Sequence, residues 1–350
     1  MTLTELPLVS QTTYAELIDQ LRTAQLADFP PGSTFRKQTV SGKEYWYVQE
    51  PTGLKGRPTE KYLGPATTEL NKRISKGRLE KNLTDTRRDI VRSLVGVGLQ
   101  KPDPLTGALL EALASAGIFR LRCVLVGTVA FQSYAGLLGV KLPAASIRTG
   151  DLDLAQDYGV SVALNDTLET SLLDVLRSVD DSFRPVPSLK DPFETAAYVG
   201  PGGYRVDILT TNRGSEREAT SKLPSLKTDA TPLRHLDYLL REPIDAAALT
   251  RHGTLISVPQ PARYAVHKLI VAVMRQTSGE SAVKARKDIE QAGILIETLM
   301  QTRRADDLND ALKEAVSRGS NWQDKLTTGI ARLNNEQQTL LKSLNDESVD

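Results

Sequence analysis

Asp151-Leu152-Asp153 places two carboxylates two residues apart, and in a β-strand residues at that spacing share a face. Leu152 then points the other way, into a core. Two neighbouring carboxylates repel each other unless a cation joins them. Mg²⁺ is the natural partner, with Mn²⁺ the alternative, because Mg²⁺ takes hard oxygen ligands and combines carboxylates with substrate phosphates. A third carboxylate, Asp207, lies in Tyr204-Arg-Val-Asp-Ile-Leu209, with Val206 and Ile208 on the opposite face. If the two strands are neighbours, the three aspartates could hold two metal ions roughly 3.5–4 Å apart and stabilise both oxygens of an in-line phosphoryl displacement. Val126-Gly127-Thr128 supplies a complementary feature. There a buried strand ends, a glycine lets a ligand approach the backbone, and a hydroxyl opens a helix whose free N–H groups attract anions. Thr128 is also expected to cap that helix.

The elements that must position these groups follow from periodicity and punctuation. Residues 12–27 predict a helix. Thr34 to Gln49 predicts a β-hairpin turning at Ser41-Gly42, after a Pro-Gly break at 30–32. A Gly/Pro-rich stretch at 51–58 precedes a long charged helix over 67–98, and Lys101-Pro-Asp-Pro104 marks a boundary. Next come a helix over 105–117, a buried strand over 120–126, a helix after Gly127-Thr128 and a loop of small residues from 143 to 150. Beyond the Asp151 strand, a helix is expected over 167–178 and strands over 183–189, 194–199 and 204–209. The last two are joined by the tight turn Gly200 to Gly203. From Thr231 strand signals become rare, and helices are expected over 262–275, 282–300, 305–317 and 321–344. The expected fold is α+β: a mixed sheet flanked by helices at 105–230, a helical region at 231–350, and a basic helix, hairpin and long-helix region at 1–104.

The order strand, Gly127-Thr128, helix, Asp151-Leu152-Asp153 strand and later single Asp207 resembles the polymerase-beta-type nucleotidyltransferase superfamily. More narrowly, the chain is similar to a group of uncharacterised bacterial nucleotidyltransferases through Tyr62-Leu63-Gly64-Pro65, Thr149-Gly150-Asp151-Leu152-Asp153 and His267-Lys268-Leu269. It departs from the common pattern in the 24 residues between Gly127 and Asp151 and in carrying threonine where serine is commoner. The resemblance implies that Asp151 and Asp153 bind metal, and that Asp207 binds the catalytic ion and helps deprotonate an acceptor hydroxyl. Gly127 and Thr128 would hold the phosphates of an NTP, whose α-phosphate is attacked as pyrophosphate leaves. Lys268, on the first helix after the sheet, would contact the triphosphate. Some members of the superfamily are toxins or phage-defence components, and the basic N-terminal region favours a macromolecular acceptor: RNA, such as a tRNA end, or a protein. A small-molecule acceptor and a catalytically inactive nucleic-acid-binding relative are the alternatives.

Further cations are candidates beside such a site. Arg148 precedes the aspartates and could reach a phosphate; Lys284-Ala-Arg286-Lys287-Asp288 is a basic helical cluster whose ordinary reading is a solvated face. His267 could titrate near neutrality, but His235, His252 and His267 have no sequence partners, and packing is the expectation for each. No His/Cys set has zinc spacing, and Val124 to Ala130 lacks the glycines of a Rossmann fingerprint.

Bulk properties narrow the class. Net charge is +1 over 350 residues, yet Arg36 to Arg92 holds fourteen Lys or Arg against seven Asp or Glu. That local excess permits a nucleic-acid contact, with Tyr45-Trp46-Tyr47 as base-stacking candidates. The single cysteine, Cys123, excludes an intrachain disulfide and fits a reducing compartment. No apolar run of membrane-spanning length and no signal-peptide pattern is present, so a cytoplasmic location without membrane contact is expected.

Overall fold

A computed structural model describes residues 3–24, 33–40, 43–50, 59–143, 150–187, 194–214, 220–275 and 278–346. The expected turns at 30–32 and 41–42, the 51–58 stretch and most of the 143–150 loop lie outside the described residues.

The chain opens with α1 (Leu8–Ala24), then a three-stranded antiparallel sheet of β1 (Thr34–Val40), β2 (Lys43–Glu50) and β3 (Thr59–Pro65). The third strand exceeds the expected hairpin; its sequence, with Gly64 and Pro65, hid the alternation. Trp46 and the start of α2 (Thr68–Gly96) close a small core with Leu70 and Ile74. The Thr67 hydroxyl accepts the Leu70 N–H and so starts α2. In α3 (Pro104–Ser115), Asp103 accepts the N–H groups of Leu105 and Thr106, and proline fills the first helical position, where no N–H is needed.

The central sheet is mixed. It holds β4 (Val124–Val126), β5 (Asp151–Gln156), β6 (Arg184–Pro187), β7 (Thr195–Val199), β8 (Arg205–Thr211), β9 (Ser221–Leu223) and β10 (Thr228–Leu233). Its main path runs β4-β5-β8-β10-β9. β5 pairs in parallel with one edge of β8, while β7 and β10 share the other edge. Leu152, Leu154, Val206 and Ile208 are fully buried, each adding about 1.5–3 kcal/mol of hydrophobic stabilisation. The strand expected over 120–126 shrinks to three residues, because Arg122 takes a left-handed turn at φ 62°.

α4 (Gly127–Leu138) crosses α1 where Gly136 meets the Tyr14 ring; a Cβ there would lie 2.3 Å from it. Two short helices, α5 (Tyr158–Ala163) and α6 (Leu172–Arg177), cover the sheet, and α6 is all that forms of the helix expected over 167–178. After α7 (Leu236–Leu239), β11 (Ile244–Ala248) and β12 (Thr254–Val258) form a hairpin against α1, α3, α4 and β4. The expected scarcity of strands after Thr231 is corrected here. Ile-Asp-Ala-Ala-Ala carries no strand pattern of its own, and burial between helices decides its state. Tyr14 secures the hairpin: its hydroxyl donates to the Ala247 carbonyl and accepts from the Ala247 N–H, both at 3.0 Å.

Five helices complete the chain: α8 (Pro261–Met274), α9 (Gly279–Gln301), α10 (Ala305–Ser317), α11 (Ser320–Ile330) and α12 (Asn335–Asp346). The single helix expected over 321–344 is two. Asn334 Oδ1 accepts the Gln337 N–H at 2.8 Å while Gln337 Oε1 accepts the Asn334 N–H at 3.2 Å, a reciprocal cap that starts α12. The main apolar core draws on residues from Leu3 to Leu344. No described helix is long and apolar enough to cross a membrane. Cys123 is fully buried and burial pushes its thiol up to about 12, so it is a core residue and not a reactive one.

Candidate active site

β5 and β8 run side by side in the register that matters. Asp153 is the direct partner of Asp207, Asp151 pairs with Arg205, and on the other side Asp153 faces Val126 of β4. Along both strands the carboxylates occupy the less buried positions and Leu152, Leu154, Val206 and Ile208 the buried ones. The period-two pattern thus places Asp151, Asp153 and Asp207 on one face of the sheet. Burial, then the charges of Asp151 and Asp207, push the Asp153 carboxyl up to about 7, while Lys268 and Lys284 pull it back.

Asp207 does not simply turn toward its partner. Both its oxygens accept Arg205 Nε, at 2.7 and 2.9 Å. Residues two apart on a strand share a face, so Arg205 was positioned to do this, a pairing the sequence reading did not anticipate. Among the described residues no group of three or more His, Cys, Asp or Glu is arranged as a ready metal cage.

Gly127 takes φ +68° at the junction of β4 and α4. A Cβ there would sit 2.0 Å from Asp153 Oδ2, so glycine is required both by the left-handed backbone and by the carboxylate packed against it. Thr128 is buried in the first turn of α4. The residue before the helix is Val126, so Thr128 does not cap it, contrary to expectation. The helix starts at the glycine itself, so its first-turn N–H groups, which have no acceptor within the helix, begin at the junction packed against Asp153.

The cations come from α8 and α9. Lys268 is largely buried, with its side chain 13% exposed, and is not a solvated surface position. Its Nζ bonds Asp288 Oδ1 at 2.6 Å and lies 5.1 Å from the Tyr264 ring centroid. The other oxygen of Asp288 holds Arg275 Nε at 2.6 Å, and the Asp288 side chain is only 4% exposed. Tyr264 OH is 2.9 Å from the Gly127 carbonyl and 3.1 Å from Gln291 Oε1. Lys284, Lys287, Asp288 and Gln291 fall at helical spacing on one side of α9. That side faces the carboxylates electrostatically: Lys284 acts on Asp153, and Asp151 acts on Lys287. Lys284 and Arg286 are exposed, as expected of a solvated face, and Lys287 is half-buried, so the link of this cluster to the carboxylates is one of charge and not of contact. Tyr264, Asp288 and Gln291 were missed, although their spacing from Lys268 and Lys284 was visible.

Arg148 lies outside the described residues. His267 is buried on α8; burial, then Lys268, lowers it to about 3, so it remains neutral and packed. His235 is lowered to about 4, chiefly by burial, and stands edge-on to Trp322.

Residues 104–317, well over half of the chain, match the model of the nucleotidyltransferase family. The chain belongs to that family. All three aspartates, Gly127, Lys268 and Asp288 of this nucleotidyltransferase fall within the matched segment; α1, the three-stranded sheet and α2 precede it. Nucleotidyl transfer is its class of activity, with a nucleotide as substrate. No curated protein and no solved structure matches the chain.

Proposed function

We propose that this nucleotidyltransferase moves a nucleoside monophosphate from an NTP to a hydroxyl of a macromolecule, RNA before protein, with Mg²⁺ or Mn²⁺ bound by Asp151, Asp153 and Asp207. The observation that carries the reading is the in-register pairing of Asp153 with Asp207 beside Gly127. The donor set suits a hard dication, since it consists of carboxylate oxygens, and burial followed by the charges of Asp151 and Asp207 already raises Asp153. The Arg205 contact is compatible with this role. Arg205 is half exposed, and an exposed ion pair is worth roughly 0–1 kcal/mol, so Asp207 can exchange it for a cation.

Bound divalent metal supplies charge neutralisation of the nucleotide phosphates and acidifies the attacking hydroxyl. The chain does the rest. Gly127 brings backbone N–H groups of α4 to the phosphates. Lys268 takes the charge that builds on departing pyrophosphate, with Lys284 and Lys287 adding positive charge from α9. Asp207 accepts the proton of the acceptor hydroxyl. The catalytic gain is positioning and electrostatics.

Incubation with each NTP labelled at the α-phosphate, a divalent metal, and total RNA or lysate tests the reading. Label should pass to an acceptor with wild type and not with Asp151→Ala; transfer undiminished in the variant overturns this site. Label found only on a small molecule would move the acceptor to the second class. A toxin or phage-defence setting is proposed for such an activity, and growth arrest on expression that requires Asp151 is its test.

A further inference from the structure

The ten tyrosines of the chain are distributed unevenly. Tyr14, Tyr134, Tyr198, Tyr204, Tyr238 and Tyr264 are buried, and Tyr158 lies under Arg213. The other three gather on one face of the β1-β2-β3 sheet. Trp46 and Val48 are buried on its opposite face, and Trp46 Nε1 donates to Asn71 Oδ1 of α2 at 2.8 Å. Tyr45 and Tyr47 therefore point outward, and the register places Tyr62 beside Tyr47. The ring centroids of Tyr45 and Tyr47 lie 6.1 and 5.5 Å from that of Tyr62, which is 57% exposed. Trp46 is thereby removed from the stacking candidates and Tyr62 added.

Aromatic groups in water are costly when a core is available, and this protein buries most of its own. The same face carries Arg36 and Lys43 by register. Its one carboxylate among the described residues, Glu60, lies 3.8 Å from Arg36. The surrounding segment, Arg36 to Arg92, has twice as many basic as acidic residues. The sheet also lies outside the segment matched by the nucleotidyltransferase family. A cluster of one exposed and two half-buried tyrosine rings bordered by cations suits unpaired bases with their phosphates, whereas a duplex hides its base faces.

We propose that Tyr45, Tyr47 and Tyr62 form a stacking platform for single-stranded nucleic acid, RNA in particular. The proposal deepens the reading above by assigning the acceptor class, and it rests on that reading only for what the bound strand is used for. Fluorescence anisotropy of a labelled mixed-sequence 12-nucleotide RNA, its DNA equivalent and a duplex tests it with the full chain. Wild type should bind the single strands, more weakly as salt rises, and the duplex at least tenfold less well. Tyr45→Ala/Tyr47→Ala/Tyr62→Ala should weaken single-strand binding at least tenfold, while replacing all three by phenylalanine should retain it, because stacking needs the ring and not the hydroxyl. Photocrosslinking of a 4-thiouridine-substituted strand to wild type gives a readout independent of the variants' folding, and crosslinks should map to Tyr45, Tyr47 or Tyr62. No single-strand binding, equal binding by a folded triple-alanine variant, or crosslinks confined elsewhere overturns the platform. So does tyrosine-dependent capture of a protein with no RNA bound. Tyrosine-dependent RNA binding without nucleotidyl transfer would leave the platform standing and remove the catalytic reading. Transfer to RNA unaffected by the tyrosines would do the reverse.

Discussion

Gly127 and Asp153 form the tightest constraint in the catalytic face. Replacing Gly127 by alanine puts a methyl into the carboxylate and forces a left-handed residue, which costs about 1–2 kcal/mol before the clash is counted. We expect Gly127→Ala to lower label transfer at least a hundredfold while the protein still melts cooperatively, as steady-state assays and calorimetry would show. Asp153 also gives the metal-free protein a pH signature. Its value near 7, against 3.8 for the free group, means that the folded state holds this proton more tightly. The stabilisation is present below pH about 4 and is lost as pH rises through about 7. Melting temperature in chelator should therefore fall from pH 4 to 7 relative to Asp153→Asn, and saturating Mg²⁺ should cancel the difference. Asp288 acts one layer out. With Lys268 and Arg275 on its two oxygens, it fixes the Lys268 ammonium. Asp288→Asn should raise the KM for NTP roughly as Lys268→Ala does, with the double variant no worse than either single one; additive losses in kinetic assays would count against the coupling.

At the scale of elements, α8 is tied to both of its flanks. Glu314 of α10 holds Arg263 of α8 at 2.7 Å, Arg318 at 3.0 Å and Arg241 at 3.2 Å. These bonds, Arg263 first, lower Glu314 from 4.5 to about 2, so its contribution is full above pH about 4.5 and disappears as pH falls through about 2. His267 on the same helix is held neutral down to about 3, against an ordinary 6.5, so its contribution begins to fail below pH about 6.5. Thermal melts should show acid destabilisation in two ranges. Glu314→Gln should cost about 1.5–3 kcal/mol at pH 7 and flatten only the range below 4.5. The sequence shows α8 and α10 plainly through their apolar periodicity. It shows the start of β4 and the whole of β11 poorly, because Arg122 takes a left-handed conformation just ahead of one and alanine fills the other. The break before α12 was legible in the Asn334/Gln337 spacing, a capping signal masked by an otherwise continuous helical pattern.

Over the whole molecule, a mixed sheet brings residues from separate stretches to one face: Gly127, Asp151 with Asp153, Asp207, and the α8–α9 cations. That Asp151 and Asp153 share a face was legible from strand periodicity, and the Gly127-Thr128 loop ahead of them singled out that strand. Asp207 needed β5 and β8 to be neighbours, a fact of topology that no local pattern encodes and that the parallel register supplies. The Arg205 contact and the Asp288 bridge depend on side-chain directions, which spacing permits but does not select. The nucleotide and the acceptor depend on pocket shape and partner surfaces, which no sequence motif reports. The most direct measurement is calorimetric titration of ATP and the other NTPs into wild type, Asp153→Asn and Asp207→Asn, each with Mg²⁺ and with chelator. Binding of at least one NTP should require Mg²⁺ in wild type and be lost in both variants. NTP binding that is indifferent to Mg²⁺, or unchanged by either substitution, would contradict the assignment of these carboxylates as the metal-holding centre.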